Sequence, residues 1–517
     1  MNKFKIIGAA IILVFFASCV DDLNTEPKIE LTLDKLLEQD PQAIEGLVSK
    51  IYGTFALSGP DGPGSTDVVT KDAGEAAFLR GIINLQDFSA DGVKNRWGDD
   101  GLDQLTTTSG WNPNNKFFRY LFDRAYYTIP QSNNLINILK TTSNEIPGKE
   151  NYIAELRFLR CLAYFYVIDC FGKGPLVTEE DINTTTPKKE STRKELFDFV
   201  EKDLLEAEST ITATKSYGKA NKTVVRMLLA KLYLNAEVYT GTARYTDALT
   251  YLNKVLADTQ YTLAPNYVSI FSGDNNNNPE IIYTLIADAV VSQSYGNTTY
   301  IINGSLNNET VDPNLFGAKD GWGGHRATKA WYGLFNDGDI ADSNDDRAKL
   351  FWTSGHSYEM NDYKAWTDGF PSVKFRNSNY VGTSSSTSFS NTDFPLYRLA
   401  DVYLMYAECV LRGGTGGTRA QALTYVNAVI TRSKGTAIAD AQLNLNFLLD
   451  ERARELNFEG HRRTDLIRFG KFTGGSYLWP WKGGTKGGTS IPDTYKLYPI
   501  PTTALQSNPN LTQNPGY

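Results

Sequence analysis

Histidine is almost missing from this 517-residue chain, with three residues (325, 356 and 461) against 29 Tyr, 26 Phe and 8 Trp. So few imidazoles, with no CxxC pair and no HExxH helix, exclude the common zinc and metalloprotease sites. No Walker A loop, dinucleotide fingerprint or GxSxG elbow occurs either, which removes the usual nucleotide-binding and serine-hydrolase signatures. Basic excess is lacking: 51 Lys and Arg against 59 Asp and Glu give a net charge of −8, unsuited to a polyanion such as nucleic acid. Nor is there an apolar run of transmembrane length. What is present is an ordinary globular balance, 41% hydrophobic and 21% charged, with an excess of flat rings. That profile leans toward a binding protein rather than a metal or acid–base enzyme.

The start of the chain reads as an export signal. Lys3 and Lys5 precede an apolar run from Ile6 to Ala17, too short to span a bilayer and suited to a signal-peptide core. The run ends in Phe16-Ala17-Ser18-Cys19, small residues before a cysteine, as a lipoprotein signal peptidase requires. Residues 1–18 are thus expected to be removed and Cys19 to carry the lipid anchor that holds the protein to a membrane. A plain secretory signal with a chance cysteine is the alternative. Of the other cysteines, Cys161 and Cys170 fall in one helical pattern nine residues apart, about 13 Å of rise, which prevents their pairing. All three, with Cys409, read as small core residues, a bridge from Cys409 to one of the others staying open.

Residues 19–517 read as a single mostly α-helical domain. Helical periodicity marks a scaffold at about 120–260 and 397–472, where Leu156, Leu159, Ala163, Tyr166 and Cys170 follow 3-4-3-4 spacing. From Ala154 to Phe171 nearly every face is apolar, predicting a helix buried on most sides. An internal repeat runs through the scaffold: "LAKLYL" (Leu229 to Leu234) matches "LADVYL" (Leu399 to Leu404), and "ALTYLNKV" (Ala248 to Val255) matches "ALTYVNAV" (Ala422 to Val429). Each copy predicts a helix–turn–helix pair with the logic of tetratricopeptide repeats, which stack because one pair cannot bury its own apolar stripe. Two loop-rich stretches, about 57–115 and 261–395, interrupt it. Ile281 to Ile286 and Thr298 to Ile302 alternate as short strands would. Long loops on a helical scaffold commonly carry function, and these hold Trp97, Trp111, Tyr295, Trp322 and Trp331 in exposed-looking settings.

Three clusters invite a chemical reading. "ERARELNFEGHRRTDLIRFGKF" (Glu451 to Phe472) places Glu451, Glu455 and Glu459 on one helical face among five arginines, best read as a structural ion-pair network. Asp274, Asn276, Asn278 and Glu280 alternate like oxygen ligands, but the glycine and distal glutamate of a calcium loop are lacking. A solvated turn is the main reading there and a structural calcium on Asp274, Asn276 and Asn278 the alternative; no other cofactor is called for. A carboxylate pair of glycosidase type is open to any acidic chain and points nowhere in particular. The loop aromatics say more, because sugar rings expose apolar C–H faces on which indole and phenol rings stack. Each such pairing contributes on the order of 1 kcal/mol, so several rings in an arc are needed.

The lipobox, the "AELRFLRCLAYFYVIDCFGKGPL" helix (Ala154 to Leu176), "YRLADVYLMYAE" (Tyr397 to Glu408), "ELNFEGHRRTDLIRFGKF" (Glu455 to Phe472) and the tail "YPIPTTALQSNPNLTQNPGY" (Tyr498 to Tyr517) together resemble the SusD/RagB family of Bacteroidetes. The similarity spans essentially the whole chain. "YLWPWKGGTKGGTS" (Tyr477 to Ser490) is most similar to the starch-binding members. The resemblance implies a tetratricopeptide-like fold and a non-enzymatic lipoprotein on the outer face of the outer membrane. Its implied ligands are α-glucan oligosaccharides or polysaccharide, delivered to a SusC-like TonB-dependent transporter. It also implies an aromatic arc of Trp97, Tyr295 and Trp322, with Arg80 as a polar contact. A hydrogen-bonding Asn that starch binders carry after the first arc tryptophan is replaced here by Asp99 and Asp100, in a stretch one residue shorter. An acid accepts hydroxyl hydrogen bonds but does not donate them. No calcium ligand set carries over either, since Gly413 to Thr418 offers no acid. The same scaffold binding another glycan or a peptide is the main rival; a glycoside hydrolase and a purely structural transporter partner are the others.

Overall fold

The computed structural model describes residues 33–517; the signal peptide and Cys19 lie outside the described residues. The scaffold comprises α1 (Ala43–Ala56), α2 (Lys116–Thr141), α3 (Lys149–Cys170), α4 (Arg193–Thr210), α5 (Lys222–Leu234), α6 (Tyr245–Leu256), α7 (Leu399–Leu411), α8 (Arg419–Arg432), α9 (Leu445–Leu456) and α10 (Arg462–Arg468). From α2 to α8 each helix packs on the next, and α1 lies across α2 and α3. Side-chain caps set the starts. Asn115 accepts from the Phe117 amide, Asn221 from Thr223 and Val224, Thr418 from Gln421, and Thr192 forms a capping box with Glu195. Helix α3 is buried at every residue from Ile153 to Cys170, as its all-round apolar pattern predicts.

The sequence repeat is a structural repeat. Tyr233 of α5 stacks on Tyr251 of α6 with ring centroids 5.7 Å apart, and the equivalent Tyr403 of α7 stacks on Tyr425 of α8 at 4.4 Å. Ala248 and Ala422, fully buried, occupy the close crossings. Where the two copies differ they are complementary: Lys231 of the first forms an ion pair with the equivalent Asp401 of the second, 2.9 Å apart. Cys161, Cys170 and Cys409 are buried free thiols, so the disulfide left open from Cys409 does not form.

The Glu451–Phe472 segment is a buried ionic core. Glu455 meets Arg347 at 2.8 Å, Arg398 at 2.7 Å and also Arg432. Arg398 reaches on to Glu280 and Glu459, and Arg452 ties Asp401 of α7 to Asp465 of α10. Bidentate guanidinium groups thereby join α7, α8, α9, α10 and the loop around Arg347.

Two strand pairs organise the loop-rich regions: β1 (Val93–Asn95) is antiparallel to β3 (His325–Ala327), and β2 (Ile281–Leu285) to β4 (Phe394–Arg398). The strand expected at Thr298 to Ile302 is instead a short helix, Thr298–Gly304, because the Asn297 side chain caps the Thr299 amide and outweighs the β-branched residues. The 57–115 stretch is less loop-like than its composition suggests, containing Phe78–Ile82, which continues into a π-helical turn Ile83–Phe88, and Leu102–Thr106. Two of the exposed-looking tryptophans are core residues. Trp111 packs between Tyr495 and Tyr498, and Trp331 meets Phe351 edge-on.

Candidate functional site

The β1–β3 ladder pairs Asn95 with His325, which brings the chain just after β1 beside the chain just before β3. Trp97 and Trp322 therefore meet, with ring centroids 6.3 Å apart and planes inclined by 52°. Trp97 is fixed at both ends. Its amide donates to Asn95 Oδ1 at 2.7 Å and its indole Nε1 donates to the Trp322 carbonyl at 3.1 Å. Beneath it lie Tyr300 and His325, at 5.7 and 5.1 Å between centroids. A side chain at Gly324 would overlap the Trp97 ring, so this glycine is what lets the indole lie flat on the ladder. The Trp322 turn is held by backbone bonds to the short helix, from the Trp322 amide to Asn303 at 2.6 Å and from Gly324 to Gly304 at 2.7 Å.

Tyr295 continues the row, 6.4 Å from Trp322 and inclined by 45°, with Phe389 at 4.9 Å on its other side. It is 44% exposed, whereas both tryptophans are half-buried. Glycine again sets the approach: a Cβ at Gly74 would come within 2.7 Å of Tyr295 Cβ. Arg80 donates its amide to Gly296 at 3.0 Å, and its guanidinium lies 4.5 Å from the centre of the Tyr300 ring. Glu75 sits 3.8 Å from that guanidinium. Arg80 is 6% exposed, and its Nε donor has no protein partner.

Arg80, Trp97, Asp99, Tyr295 and Trp322 thus line one open cleft of about 440 Å³, joined by Asp72. Asp100 is not among its lining residues; it is exposed on the turn beyond Asp99. Asp72, Tyr300 and Phe389 escaped the sequence reading. The local signal for this closely packed corner was the cluster Gly321, Gly323 and Gly324 together with Gly74 and Gly296. Under the aromatic floor, burial and then the nearby Arg80 hold the His325 pKa well below its ordinary value, and burial holds the Tyr300 phenol well above its own. Both rings are uncharged at neutral pH, so the floor presents apolar faces and the rim presents the charges.

The Asp274–Glu280 turn is tied into the fold through its side-chain oxygens. Both carboxylate oxygens of Asp274 accept backbone amides, from Tyr380 at 2.7 Å and Val381 at 3.0 Å, and Asn278 Oδ1 accepts from the Glu280 amide. Asp274 and Asn278 thereby shape the loops they belong to. Among the described residues no group of three or more His, Cys, Asp or Glu is placed to hold a metal.

Comparison with known proteins agrees with this architecture. Residues 340–517 match the SusD family, and residues 68–234 match a family described as "Starch-binding associating with outer membrane". The Starch-binding protein SusD of Bacteroides thetaiotaomicron is 31% identical, the alignment covering 99% of this chain and 98% of that protein. The chain belongs to the SusD family. SusD-like protein P25 of Formosa agariphila is 26% identical, over 99% of this chain and 98% of its own. Among solved structures, a SusD superfamily protein of Parabacteroides distasonis superposes with a TM-score of 0.72 at 22% identity, covering 94% of this chain and 100% of that one. Surface glycan-binding protein A of B. thetaiotaomicron, solved with laminarihexaose, superposes at 0.68 with 21% identity, covering 91% and 99%. The SusD fold accounts for the mostly helical scaffold with its few short strands.

Proposed function

We propose that this SusD-family protein binds starch-type α-glucans at the Arg80–Trp97–Tyr295–Trp322 cleft without chemical turnover. The carrying observation is the row of three rings at successive spacings of 6.3 and 6.4 Å, each inclined by about half a right angle to its neighbour. Flat ribbon-like glycans suit coplanar platforms; a helical chain such as amylose presents a curved apolar face, and inclined rings can each lie against part of it. Arg80 lines the cleft, where its guanidinium can donate to a glucose hydroxyl. Asp72 and Asp99 accept hydroxyl protons at the rim, and Asp100 is proposed as an outer polar contact. The 31% identical relative named for starch binding supports the α-glucan reading; the laminarihexaose complex makes a second helical glucan the competing ligand. The reading further includes export, lipidation at Cys19, a place on the outer surface of the outer membrane, and hand-over of oligosaccharide to a SusC-like TonB-dependent transporter. The outer-membrane family description supports this location.

The test is calorimetric titration of soluble protein beginning at Val20 with maltoheptaose, α-cyclodextrin, laminarin oligosaccharides and a xylan oligosaccharide. Binding to the first two alone is expected; a preference for laminarin would move the specificity to the second glucan. Incubation with starch should release no reducing ends. In cells, Cys19→Ala is expected to shift the protein from the membrane pellet to the soluble fraction, and an unchanged distribution would remove the anchor.

A further inference from the structure

A second aromatic pair is joined to the cleft through Lys364, which bonds the Trp97 carbonyl. Tyr363 and Trp481, both half-buried like the arc tryptophans, meet edge-to-face at 4.9 Å and 67°. Lys364 links this pair to the arc: its ammonium donates to the Trp97 carbonyl at 3.2 Å, pairs with the Asp103 carboxylate, and lies 5.2 Å from the centre of the Tyr363 ring. Burial, and then the nearby Asp103 carboxylate, raise the Tyr363 phenol above its ordinary value.

Both halves of the pair are built rigidly from the framework of the arc. Arg326, buried on β3 beside His325, donates to the carbonyls of Tyr363 at 2.5 Å, Ala365 at 2.7 Å and Gly324 at 2.9 Å. One guanidinium therefore pins the Tyr363 loop and the glycine beneath Trp97 together. Trp481 sits at φ +70°, a left-handed conformation that strains a non-glycine residue. Surroundings enforce it: Lys482, buried below, donates to Gly474 at 2.9 Å and Tyr477 at 2.8 Å, and the Gly484 amide donates to Thr107, next to the Asp103 helix. The indole Nε1 of Trp481 is buried with no hydrogen-bond partner. A tryptophan held in a strained backbone conformation beside an ion pair and a tyrosine is poorly explained by packing alone.

We infer that Tyr363 and Trp481, with Lys364 and Asp103 as polar partners, form an outer subsite that continues the arc and takes further glucose units of a long α-glucan chain. This rests on the α-glucan reading of the cleft. A closed cyclodextrin occupies the arc only, whereas an extended chain reaches both platforms.

The experiment measures α-cyclodextrin and maltooligosaccharides of increasing length, together with amylose, against wild type, Tyr363→Ala and Trp481→Gly, glycine being the residue that accepts φ +70° without strain. Melting temperatures monitor folding. Each substitution is expected to leave α-cyclodextrin affinity within twofold and to weaken amylose and the longest oligosaccharides by about fivefold, the worth of one ring contact. Long-chain affinity unchanged in both variants overturns the subsite. Equal losses for α-cyclodextrin and amylose also overturn it, showing that the pair only supports Trp97. A wild-type protein that binds none of the α-glucans removes the underlying cleft reading and the subsite with it.

Discussion

Trp322 and Gly324 show how little tolerance the cleft has at the level of single residues. Trp322 offers its ring to both neighbours and its carbonyl to Trp97. Trp322→Ala is expected to weaken maltoheptaose binding by about thirtyfold (~2 kcal/mol), the range of a central aromatic anchor, with the melting temperature nearly unchanged. Calorimetry beside thermal melts checks this, and wild-type affinity would refute the arc. Gly324→Ala is a less obvious test. The added methyl occupies the space of an indole that is tied down through its Nε1, so the Trp97 ring must tilt and give up that bond. A shift in tryptophan emission together with a loss of affinity of about fivefold or more is expected, as for one displaced ring. Neither residue could be ranked from its letter alone: Trp111 and Trp331 have the same loop-like sequence surroundings and are core.

At the scale of elements, the ionic core decides how α7 to α10 are held. Glu455 pairs with three arginines from three separate segments, whose remaining charge Asp345, Glu451, Glu280 and Glu459 share, and the side chains of Glu455 and its three arginines are buried. Removing one partner of a buried pair leaves uncompensated charge, which costs about 3–5 kcal/mol. Glu455→Ala is therefore expected to lower unfolding free energy by at least that much in urea titrations. A loss under 1 kcal/mol would mean that water or a rearranged neighbour replaces the carboxylate. The segment was recognisable as an ion-pair network from its density of Glu and Arg, but the expected single helical face holds only Glu451 and Glu455: α9 ends at Leu456, and Glu459 reaches Arg398 from the turn beyond it. Its partners were not recognisable, since Arg347, Arg398 and Glu280 are separated from it by tens of residues or more. The helix–turn–helix repeat was equally legible, and the Lys231–Asp401 pair gives a reason why the copies diverge at that one position. Thr298–Gly304 was misread because its alternation fits a strand and only the cap on Asn297 tips it to helix.

For the molecule as a whole, buried charge sets the response to pH. Burial would raise the carboxyls of Asp401, Glu408 and Asp465, but the cations beside them (Lys231 and Arg452, Arg468, and Arg452 with Arg468, respectively) outweigh it and hold all three below their ordinary values. Groups lowered in this way contribute stability above their unfolded-chain values near pH 4, and the contribution is lost as pH falls. Asp87 works in the opposite sense. Burial raises it to about 7, against the Gly460 and Phe458 amides that its carboxylate accepts. The folded state then holds a proton that the unfolded chain releases, so its contribution is present below about pH 4 and lost as pH rises toward 7. Melting curves of wild type and Asp87→Asn are expected to converge or cross between pH 4 and 7, wild type losing ground as pH rises. Parallel curves would show that Asp87 ionises normally.

The amino-acid sequence by itself determined the helical scaffold, its internal repeat, the family and the chemical character of the cleft-lining residues. These depend on local periodicity, capping and residue type, which are written contiguously along the chain. The cleft depended on the tertiary structure. The β1–β3 register joins residues more than two hundred positions apart, glycines at 74, 296 and 324 permit the close approach, and Asp72 and Phe389 arrive from distant loops. Long-range packing also sorted the tryptophans into cleft and core, because burial is a property of what surrounds a ring and not of the residues on either side of it.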